Sequence, residues 1–247
     1  FDGKADLKRG IIRCVGDPER RFREDALRML RAWRFSAQLG FSIEEHTARA
    51  IRENAGLCRL LSRERVCAEA EKTLLSPRPE TLSVMLREGL LAACGIEGDY
   101  ELHALKTVSA EADARWAMLK VLIPKLDMQQ FRLPSRRVQL AETAAAAYRP
   151  SYTREALKEL IVASGEDAAR VCAKLSNQEA LLEEILQSGE CVSLRGLAVN
   201  GRDFPALHGK AAGDMLRRLL DYVLLHPEKN NRQTLLRLAE EWSGNSD

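Results

Sequence analysis

Between Arg21 and Phe41 the chain reads RFREDALRMLRAWRFSAQLGF, a stretch whose charged residues are equipped for polar recognition. Glu24 and Asp25 are adjacent carboxylates, and Arg28, Arg31 and Arg34 follow at steps of three. A guanidinium is a rigid planar fork that only donates, and a carboxylate only accepts. Side by side they match a flat heterocycle that presents an amino donor next to an unprotonated ring nitrogen. Cytosine and adenine do so, whereas uracil and guanine show a carbonyl and a protonated nitrogen at that edge. One Asp and one Arg therefore accept C and A and reject U and G, at about 1–3 kcal/mol per bidentate contact. The same spacing suits an ordinary ion-paired helix surface. Glu24 and Arg28 stand i,i+4 and Asp25 and Arg28 i,i+3, pairs worth roughly 0.2–0.5 kcal/mol each. The arginine ridge, with no lysine in it, repels itself unless an anion sits nearby.

These side chains need a helix to carry them. Phe22, Ala26, Met29, Leu30, Trp33 and Ala37 recur at the three- and four-residue steps of one buried face. Asp17-Pro18 supplies an N-cap and a first-turn proline, and Gly40 a left-handed stop, so one helix is predicted through this stretch. Ser42-Ile43-Glu44-Glu45 has the capping-box pattern of a second helix ending near 54–56, and Ser62 opens a third that stops at Ser76-Pro77-Arg78-Pro79. Further helices are predicted near 79–92, 111–126, 135–148, 153–163, 166–175 and 177–188, with Asp127, Ser135 and Thr153 as caps. Five glycine and proline positions break the periodicity between 188 and 209, and two amphipathic helices follow near 211–225 and 230–242.

With those elements in place, Glu24-Asp25-Ala26-Leu27-Arg28 resembles the EDxxR motif of the class II tRNA nucleotidyltransferases, the CCA-adding enzymes and their poly(A) polymerase relatives. Gly3-Lys4-Ala5-Asp6-Leu7 with Ile12-Arg13 is similar to the family's GxxDLxxxxIR element, and Arg63-Glu64-Arg65-Val66 with Glu69 and Lys72 to its RERxxxExxK element. Weaker likeness continues through Arg115-Trp116-Ala117, Asn200-Gly201-Arg202-Asp203-Phe204 and Asn231. The resemblance implies an all-α chain of consecutive neck, body and tail subdomains with at most a short remnant of the head. Residues 1–16 would end the head and its linker, 17–77 form the neck with the template helix, 78–188 the body and 189–247 a tRNA-binding tail.

The resemblance also implies roles. Asp25 and Arg28 would bond the base of CTP or ATP, Glu24 would orient Arg28, and Arg31 and Arg34 would contact the nucleotide or the RNA 3′ end. Arg13 would support the head–neck junction or serve as a structural ion pair, and Arg63, Glu64, Arg65 and Glu69 would hold the template helix. Lys210, Arg217, Arg218, Lys229 and Arg232 would meet tRNA phosphates, unless they are solvated helix faces. Family catalysis uses a DxD carboxylate pair holding Mg2+, which activates the 3′ hydroxyl, together with a Gly-rich nucleotide loop. Neither motif occurs in this sequence, which opens at Phe1-Asp2-Gly3 without Met. The expectation is a truncated chain, inactive alone, whose partners are tRNA, CTP and ATP and the catalytic head of the same parent protein. A CC-adding or A-adding enzyme, a poly(A) polymerase, or a non-catalytic helical RNA-binding protein are the alternatives.

Composition agrees with a helical chain that carries its charge locally. Net charge is only +2, yet residues 1–34 hold ten Lys/Arg against six Asp/Glu, so the positive surplus sits beside the template segment. Six cysteines without CxxC spacing and four scattered histidines argue for core thiols rather than a zinc site, disulfide framework or phosphohydrolase module. No apolar run is long enough for a membrane span and no signal peptide is visible, so a cytoplasmic protein is expected.

Overall fold

A computed structural model describes residues 3–244 and divides them into two compact units, 3–148 and 149–244. The dividing point falls inside the segment that the sequence reading assigns to the body. The fold is all-α, with thirteen α-helices and one two-stranded pair among the described residues. In the first unit these are α1 (Gly3–Arg9), β1 (Ile11–Ile12), α2 (Pro18–Glu24), α3 (Leu27–Leu39), β2 (Ser42–Ile43), α4 (Glu45–Asn54), α5 (Arg63–Leu74), α6 (Thr81–Arg87), α7 (Ala112–Leu122) and α8 (Ser135–Ala147). The second holds α9 (Arg154–Ser164), α10 (Glu166–Leu175), α11 (Glu179–Gln187), α12 (Lys210–Leu225) and α13 (Arg232–Gly244).

Several predicted caps form. Asp17, Ser62, Asp127 and Thr153 each accept a backbone N–H from the turn they open. Gly40 ends α3 at φ +74°, and the Arg78 guanidinium lies where a Cβ would stand, about as close as 3.0 Å. A side chain there would meet both a strained backbone and that cation. Ser42 does not cap α4. It lies extended in β2, where Ser42 N–H bonds Gly10 C=O and Glu44 N–H bonds Ile12 C=O in parallel register, so Glu44 becomes the cap and accepts from Thr47. Ser135 is likewise the first helical residue rather than the cap, because Pro134 precedes it in extended conformation.

The first unit packs around Trp116, fully buried on α7, whose ring meets Phe131 edge-on at 5.1 Å. Beside it Arg115 is 5% exposed and is held by carbonyls: its Nη1 donates to Leu74 and Ser76 C=O at 2.6 and 2.7 Å, and Nε and Nη2 to Val108 C=O at 3.3 Å. A cation at the C-terminal end of α5 faces the negative end of the helix dipole and satisfies carbonyls that the helix leaves open. The Arg115→Met variant keeps the stem and strands those acceptors, and is expected to lower unfolding stability by on the order of 3 kcal/mol in urea titration.

In the second unit Lys158, 3% exposed, donates to Glu190 Oε2 at 2.9 Å and to Leu224 C=O at 2.5 Å, while Arg154 donates to Glu190 Oε1 and to Glu184. One carboxylate thus joins α9 to the turn after α11, and Lys158 joins α9 to the end of α12. Burial pushes the Glu190 carboxyl up, but the hydrogen bonds from Lys158 and Arg154 more than reverse this and bring it to about 2, against an ordinary 4.5. Its stabilisation is therefore present above the unfolded value and lost as pH falls through the folded one. Acidification from about pH 5 to about pH 2 is expected to remove about 3 kcal/mol through this group. In Glu190→Gln, already weakened at neutral pH by an unpaired Lys158, that acid-dependent loss should be absent from the urea curves.

Candidate functional site

The stretch from Asp17 to Gly40 is not one helix. α2 closes where Asp25 N–H bonds Arg21 C=O, Asp25 itself is extended at φ −153° and ψ 102°, and its Oδ1 accepts Leu27 N–H as α3 begins. An aspartate competes with the helix for backbone donors in this way, a local preference that the apolar periodicity hides. The break still buries Phe22, Ala26, Leu27, Met29, Leu30 and Ala37, while Trp33 is half-buried. It also ends the i,i+4 relation between Glu24 and Arg28. Glu24 instead accepts from Arg20 at 3.2 Å and Arg21 at 2.7 Å.

Asp25 has a different partner. Arg65, in the first turn of α5, donates from Nη2 to both Asp25 oxygens at 3.1 and 3.2 Å. A carboxylate has about four lone-pair sites, so with Arg65 and Leu27 served it keeps room for one more donor. The three arginines of the ridge meet separate fates. Arg28 is exposed and has neither a carboxylate nor a hydrogen-bond partner for its guanidinium among the described residues. Arg31 lies 3.6 Å from Glu69, and Arg34 is hydrogen-bonded to Glu69 and to Gln38 and stacks 3.9 Å from the Phe35 ring centroid. Glu69 is 4% exposed, so this pair is an internal pin between α3 and α5. Of the other residues singled out, Arg63 donates to Ala93 C=O, Glu64 lies 3.5 Å from Arg132, and Arg13 pairs with Asp6 at 2.9 Å and Glu44 at 3.5 Å.

Beside this helix lies a groove of about 290 Å³ whose walls include Arg13, Arg21, Arg28 and Arg31 and, among the described residues, no carboxylate. Ile12, Val15, Phe22, Ala32 and Phe35 supply an apolar wall, and Cys14 and Thr47 complete it. Cationic forks next to apolar surface suit a ligand that joins phosphate to a flat ring. Asp25 is not among the lining residues. Arg21 and Phe35 were missed by sequence reasoning. Arg21 lies on α2 and Arg28 on α3, so no helical repeat in the sequence joins them, and Phe35 reads as one more apolar residue. Burial pushes the Cys14 thiol up, against the pull of Arg21 and Arg28.

The basic residues singled out near the C-terminus are dispersed. Arg232 donates to Asp203 at 2.6 Å, Arg217 lies 4.0 Å from Asp214, Arg218 stacks 4.2 Å from the Trp242 centroid, and Lys210 and Lys229 are exposed. Among the described residues no group of three or more His, Cys, Asp or Glu is placed to hold a metal ion, and no helix is long and apolar enough to cross a membrane.

Comparison with known proteins gives the family of the chain. Residues 40–94 match a family described as the probable RNA and SrmB-binding site of polymerase A. The chain is 33% identical to a CCA-adding enzyme of Limosilactobacillus fermentum, over 98% of its own length and 66% of that enzyme's, and 31% identical to one from Bacillus velezensis, over 98% and 67%. It superposes on the crystal structure of the Bacillus stearothermophilus CCA-adding enzyme in complex with CTP with a TM-score of 0.82 at 28% identity, covering 99% of this chain and 68% of that one. The chain thus spans about two thirds of the length of the relatives it matches. On motifs, sequence and fold together, it belongs to the CCA-adding enzyme family of tRNA nucleotidyltransferases.

Proposed function

We propose that this chain is the nucleotide-selecting and tRNA-holding part of an enzyme that builds or repairs the 3′ CCA end of tRNA. The observation that carries the reading is the contrast along the ridge: Arg34 is engaged inside, while the Arg28 guanidinium, without a partner among the described residues, stands on an arginine-lined groove, a few residues from a carboxylate that keeps one acceptor position. Asp25 accepts the amino group of C or A, and Arg28 donates to the neighbouring ring nitrogen. Arg65 steadies Asp25 from behind, and Arg13, Arg21 and Arg31 face the triphosphate. Glu24 acts on Arg20 and Arg21 at the mouth of the groove rather than on Arg28.

On this reading residues 17–77 act as neck, 78–188 as body and 189–247 as tail, and Lys210, Arg217, Arg218, Lys229 and Arg232 contribute to the phosphate contacts of tRNA. The Mg2+ chemistry of the family activates the 3′ hydroxyl and neutralises the triphosphate. On this reading the ligands of that ion belong to the catalytic head of the parent protein. The likeness of 40–94 to polymerase A keeps poly(A) addition as the second reading, which the primer used distinguishes.

The test uses the full-length protein that contains this chain, with tRNA ending before CCA and, in parallel, an unstructured RNA primer. The parent should add C and A to the tRNA and little to the unstructured primer. Asp25→Ala and Arg28→Ala should each lower the preference for CTP and ATP over UTP and GTP by about 10- to 100-fold, the size of one lost bidentate contact. An equal fall for all four nucleotides, with preference intact, would sink the template assignment.

A further inference from the structure

The template reading requires that Arg28 point at the groove, and helix α3 must be stopped from turning about its axis. At about 100° per residue, Trp33 lies about 140° around the helix from Arg28, and Arg34 about 120° around in the opposite sense. These two side chains flank the back of the helix, and each carries a polar tether to a different neighbour. Arg34 is bonded to Glu69 of α5, and Trp33 Nε1 donates to Glu88 Oε2 at 2.9 Å, at the C-terminal cap of α6. One tether resists rotation in one sense and the other resists the opposite sense.

The Trp33–Glu88 bond is the less obvious half of the pair. Among the described residues, Glu88 accepts from no side chain but Trp33, and its cationic neighbours Arg52 and Arg87 lie against Glu45 and Asp99 instead. Burial pushes the Glu88 carboxyl up from its ordinary value, against the pull of Trp33, Arg52 and Arg87. The half-buried indole of Trp33 reaches from α3 to the C-terminal cap of α6, but packing alone does not set its angle. The N–H bond supplies that angle. A guanidinium stands several ångströms from its helix axis, so a rotation of about 10–20° carries it outside the tolerance of a preorganised site.

We propose that Glu88 is a positioning residue for base selection, acting through Trp33 to fix the rotation of α3 and so the aim of Arg28; this rests on the template reading given above. Glu88→Gln keeps an acceptor for the indole, whereas Glu88→Leu and Trp33→Phe each remove one half of the bond and keep comparable bulk.

The experiment has two readouts. In the chain itself, 1H–15N spectra follow the indole N–H of Trp33, assigned by its loss in Trp33→Phe, and the Nε–H of Arg28, assigned by its loss in Arg28→Lys. In the full-length protein, incorporation of CTP and ATP is compared with UTP and GTP. Glu88→Leu should shift both signals and lower the base preference about tenfold, Trp33→Phe should match it in preference, and Glu88→Gln should keep both readouts near the parent. An Arg28 signal unmoved by Glu88→Leu, or a preference unchanged in both Glu88→Leu and Trp33→Phe, overturns the positioning role while leaving the template intact. A stability loss equal in Gln and Leu, without a change in preference, also overturns it. A parent with no base preference overturns the template reading and this role together, and the Arg28 signal then reports whether the tether itself exists.

Discussion

The buried carboxylate of Glu69 is the constraint on which the first unit is arranged. A charge removed from water must be matched by a partner of opposite sign with good geometry, or the group is not tolerated. Arg34 supplies that match from α3, with Arg31 and Lys72 farther out at 3.6 and 3.7 Å. α3 and α5 therefore cannot slide or rotate freely without leaving an unpaired charge inside. Everything that matters at the groove is placed relative to that pin. Arg65 sits one turn before Glu69 on α5, which brings it to Asp25 at the start of α3.

The same pin divides one chemical motif into different tasks. Steps of three residues advance about 300°, so successive arginines fall back by about 60° around the helix axis. Arg28 reaches the open groove, Arg31 stands at its edge, and Arg34 arrives at the interface with α5. Identical side chains at equal spacing thus become a free recognition group, an intermediate one and a structural one. Among the described residues Arg28 is the groove arginine left without a carboxylate, since Glu24 takes Arg21, Asp6 and Glu44 take Arg13, and Glu69 stands by Arg31.

The second unit solves a comparable problem with a lysine. Lys158 is buried as deeply as Glu69 and is matched by Glu190, which also takes Arg154. The apolar cluster of Leu219, Leu220, Val223, Leu224, Leu235 and Phe204 packs α12 and α13 with the loop before them, and the Lys158 bond to Leu224 C=O ties that cluster to α9. Several basic residues of this unit are engaged locally, Arg232 with Asp203 and Arg218 with Trp242. Formal charge in the sequence thus overstates the cationic surface that is open to a ligand.

Much of this protein follows from local rules that the sequence carries alone. Helix content, the caps at Asp17, Ser62 and Thr153, the left-handed stop at Gly40 and the family motifs were legible, because propensity, capping and motif spacing act over a few residues. The break at Asp25 was missed, since an apolar face of period 3.6 persists across it and only the carboxylate's competition for Leu27 N–H ends the ladder. Ser42 was misread for a related reason: whether it caps or extends depends on Gly10 and Ile12, some thirty residues away. Pairs such as Glu24 with Arg20 and Arg21 are local, but the long-range partners of charged side chains belong to the tertiary structure. Asp25 meets Arg65, Arg34 meets Glu69 and Trp33 meets Glu88 across separations that no local spacing encodes. The sequence by itself determined which chemical groups are present and that helices bear them. Only the packing of α3 against α5 and α6 decided which of those groups are satisfied inside and which remain free to bind, because desolvation forces every buried charge to choose a partner.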